Sequence, residues 1–241
     1  MRFHLRTKLL ACGLVCAALT GATRADDKLP TTLQPVPRDG RQMARHESFN
    51  KRVKEGKVDL IFIGDSITEG WEGAGKEVWA KYYGGRNAVN LGIGGDGTQH
   101  VLWRLDHGNI DGIAPKLAVL MIGTNNSNGG DNTPEEIGAG ITAIVKKLRQ
   151  KLPDTKVLIL AVFPRNPKPD AQREKNAKAS EIAARLADGQ MIYYLDIGPK
   201  FLTDDGTLTK DIMPDLLHLS PQGYEIWAAS IEPSAAKLMG Q

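Results

Sequence analysis

Val58-Asp59-Leu60-Ile61-Phe62-Ile63-Gly64-Asp65-Ser66 is a short apolar run cut off by glycine, with a serine two positions on. Leu60 to Ile63 has the length and β-branched content of a strand buried on both faces of a parallel sheet. Gly64 lets the chain turn sharply, so Ser66 is expected at the carboxyl end of that strand. Open α/β sheets hold their ligands at that edge.

Working outward from this strand (58–63), further strand runs are read at 88–91, 117–122, 157–162 and 191–195. Helical signals fall between them. Thr133-Pro134-Glu135-Glu136 is a capping box with proline at the first helical position. Ile137, Ile141, Ile144, Val145 and Leu148 follow at helical spacing, and Pro153 stops the run. Residues 172–188 read as a second helix closed by Gly189. A last helix starts at Ser220-Pro221, with Tyr224, Trp227 and Ile231 as its apolar stripe. Strands alternating with helices predict an α/β fold: a three-layer α/β/α sandwich around a five-stranded parallel sheet.

The amino terminus reads differently. Arg2, Arg6 and Lys8 precede the apolar stretch Leu9–Leu19, and Thr23-Arg24-Ala25 offers small residues for a signal peptidase. That pattern predicts a signal peptide over 1–25, too short for a stable membrane span, and hence a periplasmic or secreted protein. Residues 26–45, with Pro30, Pro35 and Pro37, read as an extended lead-in, and 46–241 as a single folded domain. Removing 1–25 takes away four positive charges (Arg2, Arg6, Lys8, Arg24) and no acids. The balance of basic to acidic residues moves from 31 against 28 to 27 against 28. The apparent basicity therefore belongs to targeting and argues against nucleic-acid binding. Cys12 and Cys16 leave with the signal, so the remaining chain has no thiol nucleophile, disulfide or cysteine metal site.

Hydrolysis of an ester by a hydroxyl requires a nucleophile, a base within hydrogen-bond reach and donors for the oxyanion. Ser66 can be the nucleophile and His218 the base. Asp215, three residues earlier, can fold back on a turn and hold the other ring nitrogen in one tautomer. Taken alone, Asp215 and His218 also suit an ordinary polar loop before a helix. Asn90-Leu91-Gly92-Ile93-Gly94-Gly95 and Gly123-Thr124-Asn125 end the second and third strands. They bring the Gly95 N–H and the Asn125 amide to the same edge, where with the Ser66 N–H they would form an oxyanion hole. Ile67, Thr124 and Leu217 adjoin these residues and are expected beside the acyl group, leaving room for acetyl. The alcohol half is not readable.

The ordered blocks G-D-S (64–66), N-x-G-x-x-G (90–95), G-T-N (123–125) and D-x-x-H (215–218) resemble those of the SGNH, or GDSL-type, hydrolases. Within that family, Gly92–Leu105 and Arg173-Glu174-Lys175-Asn176 look most like the catalytic subunits of platelet-activating-factor acetylhydrolase. The resemblance implies a flavodoxin-like sheet and an esterase with Ser66, Asp215 and His218 as triad and Gly95 and Asn125 as oxyanion donors. It implies no cofactor and no metal. The expected partner is a small-molecule or polysaccharide acetyl ester, or a phospholipid, with a homodimer as a further candidate. A lysophospholipase or lipase for longer acyl chains, and a non-catalytic carbohydrate-binding domain, are the alternatives. The acetylhydrolase subunits are cytosolic, whereas this chain carries an export signal.

Other readings fare less well. Gly92–Gly97 fits G-x-G-x-x-G letter for letter, but it follows the second strand, and no acidic residue ends a strand about twenty positions later. His46, His100, His107 and His218 lack metal-ligand spacing. Asp65 and Asp96 are expected to bond loop backbone. Trp71, Trp79 and Trp103 could form a sugar platform, with core packing as their default.

Overall fold

A computed structural model describes residues 28–130 and 132–241. The signal-peptide reading of 1–25 lies outside the described residues. Five parallel strands, β1 (Leu60–Gly64), β2 (Ala88–Gly92), β3 (Leu117–Met121), β4 (Lys156–Leu160) and β5 (Ile192–Leu195), form one sheet in the order β2-β1-β3-β4-β5. This is the flavodoxin-like order, whose switch point lies between β1 and β3. The chain leaves both of these strands directly into the loops that carry Ser66 and Asn125.

Alternation along each strand splits the core into two layers. Ile61, Ile63, Ala118, Leu120, Val157 and Ile159 pack against α1 (Gly40–Lys54), α4 (Thr98–Leu105), α5 (Pro134–Lys151) and α6 (Ala171–Ala184). Leu60, Phe62, Val119 and Leu158 pack against α3 (Lys76–Tyr83) and α7 (Pro221–Met239). Both faces of the sheet are covered, hence the unbroken apolar runs in the sequence. The capping box forms as expected, with Glu136 N–H donating to Thr133 Oγ1 at 3.2 Å and Thr133 N–H to Glu136 Oε2 at 2.8 Å. No helix among the described residues is long and apolar enough to cross a membrane.

Three expectations need correction. The lead-in is not extended throughout: a 3-10 turn spans Thr31–Leu33, and α1 begins at Gly40. Beyond Pro37 nothing breaks a helix, and His46, Phe49 and Val53 recur at helical spacing and are buried. The helix expected over 172–188 runs Ala171–Ala184, capped by Asp170, whose side chain accepts from Arg173 N. Gly64, finally, is required by space and not by a left-handed turn. A Cβ there would lie 2.0 Å from Thr68 Oγ1 and 2.4 Å from the Met121 carbonyl oxygen.

Candidate active site

Ser66 opens the four-residue helix α2 (Ser66–Glu69) directly after β1, and Asp65 caps it by accepting from Ile67 N at 2.9 Å. The loop before α7 supplies the partner. Ser66 Oγ lies 2.8 Å from His218 Nε2, and His218 Nδ1 lies 2.6 Å from Asp215 Oδ2. With Nδ1–H donating to the carboxylate, Nε2 is left to accept the serine proton. The second carboxylate oxygen accepts the backbone N–H of His218 at 2.7 Å and of Leu217 at 3.0 Å. This closes the turn that a spacing of three demanded. Leu216 sits in it at φ +62°, a left-handed conformation that a leucine adopts only when its surroundings impose it. They do: Leu216 N–H donates to Met213 O at 2.8 Å, and Asn166 N–H donates to Leu216 O at 2.9 Å. Partial burial pushes the Asp215 carboxyl up, but the hydrogen bonds from His218 outweigh it and hold it below the usual carboxylate value.

The loop after β2 faces this pair. Gly95 has φ +81°, and its N–H has no hydrogen-bond partner among the described residues. Asn125 Nδ2 donates to Asp96 O at 2.9 Å, which engages one of its two amide hydrogens. Gly94 N–H donates to Glu69 Oε2 at 2.6 Å, and Arg38 donates to Gly95 O at 3.1 Å. Beneath the loop, Arg104, 2% exposed, donates to Asp96 Oδ2 at 2.9 Å and to Gly64 O at 3.0 Å. Asp96 therefore pairs with a buried cation instead of loop backbone, a correction to its expected role. Burial pushes its carboxyl up, and the Arg104 charge pulls it back. Asp65 is fully buried, with Oδ2 unpartnered among the described residues, and burial pushes it up to about 7.

Ser66, His218, Asp215, Gly95 and Asn125 are thus gathered from four loops at one sheet edge. Their neighbours are less as expected. Ile67 is 1% exposed and packs into the α3–α7 core with Trp71, so it does not flank the acyl position. Leu217 is only partly buried and remains available there. Thr124 is buried, its hydroxyl accepting from Arg165 at 3.3 Å. The tryptophans form no platform: Trp71 is core, Trp79 packs on Phe62, and Trp103 stacks on His107 with centroids 3.9 Å apart. Arg38, Glu69 and Arg104 were missed from the sequence. A buried or bridging charge has no periodic signature, and only the W-R-L end of the block after β2 hinted at Arg104. Beside Gly95 and Asn125 lies a cleft of about 550 Å³, lined also by Thr31, Gln99, Asn126, Asn128 and Asn132.

The model of the GDSL-like Lipase/Acylhydrolase family matches residues 62–226. Platelet-activating factor acetylhydrolase IB subunit alpha1 of Homo sapiens is 38% identical over 213 residues, covering 88% of this chain and 90% of its own. A GDSL-like lipase from Bacteroides thetaiotaomicron superposes with a TM-score of 0.63 at 22% identity, over 80% of this chain and 97% of that one. Est24, a carbohydrate acetylesterase from Sinorhizobium meliloti, gives a TM-score of 0.56 at 22% identity, over 76% and 100%. These two structures speak to the fold alone. With the ordered motifs and the human relative, the conclusion is plain: the chain belongs to the GDSL-like lipase/acylhydrolase family of carboxylic ester hydrolases.

Proposed function

We propose that this protein is an exported serine esterase that removes short acyl groups, acetyl foremost, through an acyl-enzyme. The observation that carries this reading is the unbroken chain Ser66 Oγ–His218–Asp215, at 2.8 and 2.6 Å, beside the loop of Gly94 and Gly95. His218 Nε2 takes the Ser66 proton as Oγ attacks the ester carbonyl. The tetrahedral oxyanion is met by the N–H groups of Ser66 and Gly95 and by the second Asn125 amide hydrogen. The intermediate collapses, and Nε2–H delivers its proton to the leaving alcohol. Water then attacks the acyl-Ser66 ester with His218 again as base, and the acid departs as the proton returns to Oγ. Asp215 holds the imidazole in the required tautomer throughout.

The alcohol half is assigned from the adjoining cleft. Four asparagines, a glutamine, a threonine and His100 bring hydrogen-bonding groups to a lining that is otherwise apolar. That lining suits a hydroxyl-rich leaving group, such as an acetylated sugar, better than a lipid tail. The 38% identity to an acetylhydrolase of platelet-activating factor favours an acetylated phospholipid as the second reading. Export rests on Arg2, Arg6, Lys8 and the Leu9–Leu19 stretch, and mass analysis of the protein from an envelope or culture fraction tests it. The decisive assay compares p-nitrophenyl esters of increasing length, then acetylated xylan with acetylated lysophospholipid. Release of acetate from neither would overturn the reading.

A further inference from the structure

The stretch that leads into α1 is docked on the domain before it reaches the active site. Thr32 is fully buried, its Oγ1 donating to Glu136 O at 2.7 Å and its carbonyl accepting from Thr98 Oγ1 at 2.8 Å. These bonds fasten it to the first turns of α4 and α5, and Val36 N–H adds one to Gln99 O. Pro35 and Pro37 restrict the backbone that follows, and α1 starts at Gly40. Arg38 therefore springs from a segment held on both sides. Its guanidinium ends on the loop after β2, where Nη1 donates to Gly95 O at 3.1 Å. A Cβ built on Gly95 would lie 3.2 Å from Nη2. Among the described residues nothing else takes a hydrogen bond or ion pair from Arg38.

The loop it meets is a turn over residues 93–96, closed by Asp96 N–H on Ile93 O at 3.1 Å, with Gly95 at φ +81°. Most of its polar backbone is engaged. Ile93 N–H donates to Gly64 O at 3.2 Å, Gly94 N–H donates to Glu69 Oε2 at 2.6 Å, and Asp96 O accepts from Asn125. The peptide joining Gly94 to Gly95 is the exception. Neither its carbonyl nor its N–H has a partner among the described residues. That peptide carries the proposed oxyanion donor, and it is oriented only through the peptides on either side. Glycine at both of its ends leaves those dihedrals unusually free. Glu69 holds the peptide before it. The peptide after it is held at its N–H by Ile93 O and at its carbonyl by Arg38.

We propose that Arg38 is a positioning residue of the oxyanion hole. By fixing the carbonyl of Gly95 it stops the 95–96 peptide from rocking, and so keeps Gly95 N–H aimed at the ester oxygen. Arg38 touches no reacting atom and works through Gly95. The lead-in thereby belongs to the catalytic apparatus. This inference rests on the esterase reading above.

The experiment compares the full chain as wild type, Arg38→Ala and Arg38→Lys, by kinetics on p-nitrophenyl acetate and by amide hydrogen exchange at Gly94 and Asp96. Deleting an oxyanion donor outright costs about 10²–10³-fold in kcat, so loosening one in Arg38→Ala should cost about ten-fold. KM should stay within about two-fold, because the oxyanion forms only in the transition state. One donor suffices for one carbonyl, so Arg38→Lys should recover kcat to within about three-fold of wild type. The two amides should exchange at least about five-fold faster in Arg38→Ala but not in Arg38→Lys. Melting temperatures should agree, since the side chain is not part of the core. An unchanged kcat in Arg38→Ala, an effect confined to KM, a loss that lysine does not repair, or unaltered exchange would each overturn the proposal. If the wild type hydrolyses no ester, the esterase reading fails separately, and exchange alone decides whether Arg38 fixes the turn.

Discussion

The side-chain amide of Asn125 donates to the backbone carbonyl of Asp96 at 2.9 Å, tying the loop after β3 to the loop after β2. One amide hydrogen thereby fixes the distance between the two proposed oxyanion donors, and the other remains for the substrate. Asn125→Ala removes a donor and frees the Gly95 loop together. We expect kcat to fall about 10²–10³-fold with little change in KM, because the bonded charge develops only in the transition state. Steady-state kinetics on p-nitrophenyl acetate check this. An effect confined to KM would make Asn125 a ground-state binding residue.

Ser66→Ala should lower kcat by roughly 10⁴-fold or more, and His218→Ala by nearly as much. The double variant should be scarcely worse than either single one, since the pair acts as a unit. Asp215→Asn should retain more activity, because its side-chain oxygen can still accept the turn N–H groups of Leu217 and His218. Additive losses in Ser66 and His218 would refute the triad.

With Ile67 withdrawn into the core, Leu217 is the apolar neighbour left for the acyl group. Acetyl esters should exceed butyryl esters in kcat/KM by roughly 10–200-fold, the equivalent of about 1–3 kcal/mol. Leu217→Ala should narrow that ratio, whereas Ile67→Val should leave it alone and lower stability by about 1 kcal/mol. Equal turnover of octanoyl esters by the wild type would instead favour a lipase.

Arg104 and Asp96 are 2% and 0% exposed, so neither charge can be left alone. Arg104→Leu should destabilise by about 3–5 kcal/mol in urea unfolding. Adding Asp96→Asn to that variant should recover part of the loss by removing the orphaned carboxylate. A single variant within 1 kcal/mol of wild type, with the same denaturant slope, would show that the pair is not needed for the fold.

Asp65 gives a pH signature of opposite sign to a salt-bridged carboxylate. Its folded value is raised to about 7. Its neutral form therefore contributes stability that is complete below the unfolded value near 3.8 and lost as pH rises towards 7. The slope is at most about 1.4 kcal/mol per pH unit. Asp65→Asn keeps an acceptor for Ile67 N but cannot ionise. Its melting temperature relative to wild type should rise between pH 5 and pH 8. A constant difference across that range would mean that Asp65 does not titrate there.

The sequence by itself determined the parallel sheet, because strands buried on both faces must be continuously apolar and β-branched. It also determined the order of the four loop motifs, because strand ends in such a sheet fall on one edge. Ser66, Gly95, Asn125, Asp215 and His218 were legible for that reason: each sits within a few residues of a strand end or a helix start. Tertiary structure alone decided the rest. Ile67 and Leu217 look equivalent beside their motifs, yet helix geometry buries Ile67 fully in the α3–α7 core, whereas Leu217, after a left-handed Leu216, packs only partly buried at its edge. Gly64 reads as a turn residue, but it is glycine because Thr68 and the β3 backbone crowd its missing Cβ. Arg104 beneath Asp96 depends on what long-range packing sets beside it. Local periodicity records which face of an element is apolar, and it carries no record of the polar group that another element brings to meet it.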